Sequence, residues 1–91
     1  MPTFEFQLVL HNVHVMTEEI ADALFEAGCD DGTPFSRDGV AYVGFSREAD
    51  SLEESVRSAV ASVNTAGFTV ARVEPADDAV YVRINQELGQ H

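Results

Sequence analysis

Ninety-one residues, 45% of them hydrophobic and including six Phe and two Tyr, describe one folded domain with a two-layer core, neither a disordered chain nor a pair of modules. Sixteen Asp and Glu against five Arg and no Lys give a formal charge of -11; such a surface repels phosphates and anionic lipid, which disfavours direct nucleic-acid and membrane binding. A lone Cys excludes an intrachain disulfide, no apolar run approaches the roughly 20 residues of a membrane helix, and the N-terminus has no secretion-signal pattern, so the chain reads as cytoplasmic.

The first element, TFEFQLVL, alternates, with Phe4, Phe6, Leu8 and Leu10 on one side and Thr3, Glu5, Gln7 and Val9 on the other, the period-2 mark of a half-buried strand. A loop, HNVHVM, follows. Thr17 then caps a helix over about 18–27, with Glu18 and Glu19 in its first turn and an apolar stripe of Ile20, Leu24 and Ala27. Gly28 stands where a left-handed C-cap is wanted. A short strand to about Ser36 and the run VAYVGFS are joined by Asp38-Gly39, the dipeptide of a tight hairpin, which makes them antiparallel neighbours. Ser51 and Glu54 form a capping box ahead of Leu52, Val56, Ala59, Val60 and Val63, a helical stripe that ends at Gly67. FTVARVE is a last strand, stopped by Pro75.

The order β-α-β-β-α-β predicts an α+β, two-layer ferredoxin-like sandwich with both helices on one face of an antiparallel sheet, its core over about 3–75 and a tail over 76–91. In the tail, 79–84 alternates while Tyr81, Ile84 and Leu88 sit at helical spacing, so an extended start with a short terminal helix near 83–89 is expected. Gln7, Val9, Val40 and Tyr42 fall on the sheet face away from the helices. A half-apolar face of this kind is covered either by the tail, through Tyr81, Ile84 and Leu88, or by a second subunit, and these seven residues are the candidate interface.

Other motifs carry less chemistry. Cys29 follows a helix C-terminus and precedes Asp30 and Asp31, surroundings that oppose a thiolate, so it reads as a small buried residue. His11 and His14 are the candidate metal pair, needing further ligands such as Glu18, Glu19 or His91. No nucleophile motif, phosphate-cradling loop or catalytic constellation is present, and no cofactor is expected.

The stretch ADALFEAGCDDGTPFSRDGVAYVGFSREADSLEESVRSAVASV resembles a group of small, uncharacterised bacterial proteins. The shared residues are Ala23, Leu24, Glu26 to Asp31, Phe45 to Ala49, Ser51, Glu53, Glu54 and Ser58 to Val60, about half the chain. In some of those proteins the domain precedes a helix-turn-helix DNA-binding unit; VRINQELGQH is similar to that unit's first helix, and the chain ends before any recognition helix. The resemblance implies an accessory module that oligomerises, senses a ligand or holds a partner. The leading expectation is a non-enzymatic, self-associating interaction or regulatory module. The alternative is a small-molecule or metal-binding sensor, with a small enzyme third.

Overall fold

A computed structural model describes residues 2–74 and 79–88. The elements are β1 (Thr3–Leu10), α1 (Glu18–Glu26), β2 (Gly32–Arg37), β3 (Val40–Glu48), α2 (Leu52–Thr65), β4 (Val70–Glu74) and α3 (Ala79–Leu88). The strands form one sheet in the order β2-β3-β1-β4, and every neighbouring pair is antiparallel. The architecture is therefore α+β, a four-stranded antiparallel sheet with three helices.

Local chemistry explains the boundaries. Thr17 and Ser51 cap α1 and α2, each hydroxyl accepting from a backbone N–H three residues on, at 3.2 and 3.1 Å. The β2–β3 turn holds Asp38 and Gly39 at φ 55° and 78°, the paired positive values of a tight hairpin turn. Period 2 then sorts the sheet residues, and a register shift in β4 opposite Val9 and Leu10 brings Val70 to the same face as Val73. Phe6, Leu8, Leu10, Ala41, Val43, Phe45, Val70 and Val73 point to one face, where they share a buried cluster with Leu24, Val56, Ala59 and Val63 of the helices. Phe6 and Phe45 stack across β1 and β3 with centroids 5.5 Å apart.

The tail departs from expectation. Residues 79–84 are helical, not extended, and α3 packs Tyr81, Ile84 and Leu88 against the core cluster, away from the uncovered sheet face, with Val82 exposed. Tyr81 and Ile84 belong to the same buried cluster as the sheet and α2, with Leu88 packed against it. The physical reason is that Tyr81, Ile84 and Leu88 share one face only at helical spacing, and β4 with α2 offers an apolar surface for that face. Ion pairs from Arg57 to Glu87 (2.8 Å) and from Arg83 to Glu53 tie α3 to α2, and Arg57 also pairs with Glu53 within α2 (3.0 Å). This third helix stands outside the expected β-α-β-β-α-β order.

Each sheet edge is guarded at one point. The Arg37–Val40 pair that closes the hairpin directs its backbone groups across the ladder, so alternate residues Ser36 and Pro34 direct theirs outward, and Pro34 brings no N–H to that row. On the opposite edge the side chain of Asn85 occupies Val73: Oδ1 accepts from the Val73 N–H at 2.6 Å and Nδ2 donates to the Val73 carbonyl at 3.1 Å.

Candidate functional site

Two regions concentrate chemistry, and the first is the corner after α1. Alternation along β3 sends Ala41, Val43 and Phe45 toward the helices and then Arg47, a cation on the buried side. Its guanidinium forks onto Asp31, Nε and Nη2 donating to the two carboxylate oxygens at 2.7 and 2.8 Å. Nη2 also donates to the Gly28 carbonyl at 2.8 Å and Nη1 to the Ser58 hydroxyl at 3.1 Å, while the guanidinium carbon lies 4.9 Å from the Phe45 ring centroid. One side chain thus joins the α1–β2 corner, β3 and α2. Gly28 has φ 108°, and a Cβ there would stand 3.2 Å from the Ser62 hydroxyl, so the corner needs glycine for both backbone and space.

The electrostatics of this corner are those of a clamp. The hydrogen bonds from Arg47 hold the Asp31 carboxyl below its ordinary value, against the smaller opposing effect of burial, and Asp31 in turn raises Arg47. Cys29 is 3% exposed, and burial pushes its thiol up, partly offset by the charge of Arg47. A buried, protonated thiol is no nucleophile. In the sequence Asp31 stands out only as a carboxylate beside Cys29, and Arg47 carries no motif of its own.

The second region is the sheet face away from the core cluster. Residues opposite one another in the ladder share a face, which places Gln7 with Gly44 and Glu74, Val9 with Tyr42 and Arg72, Phe35 with Tyr42, and Arg37 with Val40. The four sheet residues expected there, Gln7, Val9, Val40 and Tyr42, are thus brought together, and Phe35 joins them. Phe35 and Tyr42 stack nearly parallel, centroids 5.0 Å apart at 8°, and the Arg37 guanidinium lies 5.4 Å from the Tyr42 centroid. This packing within the face leaves Val9 at 2% and Tyr42 at 7% exposure, while Phe35 and Val40 stay half-buried. Glu5, Arg37, Arg72 and Glu74 rim the strip, and Arg72 pairs with Glu74 at 3.0 Å. With Glu48 farther along β3, the face carries three glutamates and two arginines.

The remaining candidates are dispersed. His11 and His14 are both exposed, and His14 Nδ1 lies 3.0 Å from the Gly39 carbonyl, engaging the β2–β3 turn. Among the described residues no group of three or more His, Cys, Asp and Glu could hold a metal ion, and His91 lies outside them. Tyr81 and Ile84 are spent in the chain's own core. Among the described residues no helix is long and apolar enough to cross a membrane.

Fold and site together define an α+β protein with a sheet covered by helices on one face. Compared with protein-family models, curated proteins and solved structures, the chain matches none.

Proposed function

We propose that this chain is a non-enzymatic, self-associating interaction module, and that a second copy covers the uncovered sheet face. The observation that carries this reading is a small apolar strip, Val9, Phe35, Val40 and Tyr42, on a face that gathers Arg37 and Arg72 among its glutamates, in a chain of net charge -11. On α1 two copies would meet carboxylate to carboxylate, since it presents Glu18, Glu19, Asp22 and Glu26. A near-neutral face is where like-charged copies approach at least cost.

We also propose that the sheet is of the ferredoxin-like kind, with α3 as an addition. Its support is that β1 and β3 are central and that each helical connection from them returns to a strand two places away. In this reading the module acts in the cytoplasm, without a cofactor and without direct contact to nucleic acid or membrane.

The test is absolute mass by light scattering after size exclusion. The parent chain is expected to be a dimer or higher oligomer whose association strengthens with salt, since screening weakens repulsion between acidic copies. Tyr42→Glu, which buries a carboxylate at the centre of the strip, is expected to give monomer. A parent that stays monomeric at high concentration and high salt overturns the proposal, as does a Tyr42→Glu protein of unchanged mass.

A further inference from the structure

The contact between Asn85 and β4 has the form of a strand pairing. In an antiparallel ladder, a hydrogen-bonded pair of residues exchanges two bonds, N–H to carbonyl each way. Asn85 makes both of these bonds to Val73 with its side-chain amide, accepting at 2.6 Å and donating at 3.1 Å. A helix residue therefore takes the place of a residue on a fifth strand.

We propose that the outer edge of β4 is a pairing site for the β4 of a second copy, and that α3 guards it through Asn85. The sequence of β4 is complementary to itself in the register this edge dictates. Two-fold antiparallel pairing centred on Val73 sets Val73 against Val73 of the second copy. It also sets Arg72 opposite Glu74 of that copy, and Glu74 opposite its Arg72. Opposite charges directly across a ladder are favourable and like charges are not. Arg72 and Glu74 now pair with each other at 3.0 Å along one strand, on the same sheet face, and the exchange only redirects them.

Pairing of two copies gives up four bonds, two from each Asn85, and gains the two of the Val73 pair, so Asn85 favours the guarded edge and its removal favours pairing. What keeps α3 seated is the burial of Tyr81 and Ile84 and the ion pairs of Glu53, Arg57, Arg83 and Glu87, whose side chains are 39–54% exposed and so open to screening by salt. The site adjoins the sheet-face strip, which Arg72 and Glu74 also rim, so the charge variants are made with Asn85 in place as well, where they are expected to leave the mass at the parent's.

The experiment uses the full chain and compares its mass with that of variants under one condition. Asn85→Leu, which removes both side-chain bonds at similar volume, is expected to double the mass relative to the parent and to slow exchange of the Val73 amide. Adding Arg72→Glu, which sets Glu against Glu74 of the other copy, is expected to return the mass to that of the parent. Adding Glu74→Arg to this variant restores the opposite pairing and the doubled mass. If circular dichroism shows Asn85→Leu unfolded, Arg83→Glu, which loosens α3 by facing Glu53 with a second carboxylate, takes its place through the same three measurements. A mass equal to the parent's overturns the proposal, and so does a doubling that ignores the charge exchange.

Discussion

Arg47→Met tests the clamp at the α1–β2 corner. Methionine keeps an apolar stem beside Phe45 and removes four hydrogen bonds, two to Asp31, one to Gly28 and one to Ser58. Breaking a buried ion pair from one side costs about 3–5 kcal/mol, because the partner charge is left without compensation. Here the Arg47 side chain is 12% exposed but that of Asp31 is 32% exposed, so water recovers part of the loss for the carboxylate. The Gly28 carbonyl still loses its charged donor, which places the cost at the lower end, about 3 kcal/mol. In urea the midpoint is expected to fall with the slope unchanged, and in a thermal scan Tm is expected to drop by roughly 12–24 °C for a domain of this size. A double-mutant cycle with Asp31→Asn is expected to give a coupling of at least about 1 kcal/mol. A cost for Arg47→Met below about 1 kcal/mol, with no coupling, refutes the clamp.

Acid stability follows from the same pair. Asp31 has its pKa lowered in the folded state, so its contribution is present above the unfolded carboxyl value near 3.9 and is lost as pH falls through the lower folded value; Asp31→Asn should flatten this limb in acid titrations followed by circular dichroism. Gly28→Ala forces φ 108° on a residue with a Cβ 3.2 Å from Ser62, and a loss of about 1–2 kcal/mol is expected in urea melts. Cys29 in the native protein is expected to react with a disulfide reagent at pH 8 at least about tenfold more slowly than in denaturant, because burial raises its pKa and restricts access. Pro34→Val returns a donor to the exposed β2 edge, and turbidity on heating is expected to rise above that of the parent.

Much of the fold is legible in local pattern because the pattern carries the physics that builds it. Alternation in TFEFQLVL separates the core face of β1 from the other face, and Asp38-Gly39 sets the hairpin and hence the register that puts Val9, Tyr42 and Phe35 side by side. The tail was ambiguous because six residues satisfy period 2 while Tyr81, Ile84 and Leu88 satisfy the helical period; what decides between them is the apolar surface of β4 and α2, a tertiary fact. Asn85 was silent for the same reason, since only the fold brings it to the bare edge of β4. Arg47 was readable. It continues the inward series Ala41, Val43, Phe45, and a cation on a buried face requires a carboxylate partner, which the unassigned Asp31 supplies. The bareness of the sheet face is less than alternation suggests, because Phe35, Tyr42 and Arg37 cover one another.

The central claim, that a second copy covers the sheet face, is tested most directly by following amide NMR shifts on dilution at fixed salt. The account predicts concentration-dependent shifts at Gln7, Val9, Phe35, Val40 and Tyr42, with the amides of α1 unmoved. Shifts confined to the helices, or none across the dilution range, would contradict it.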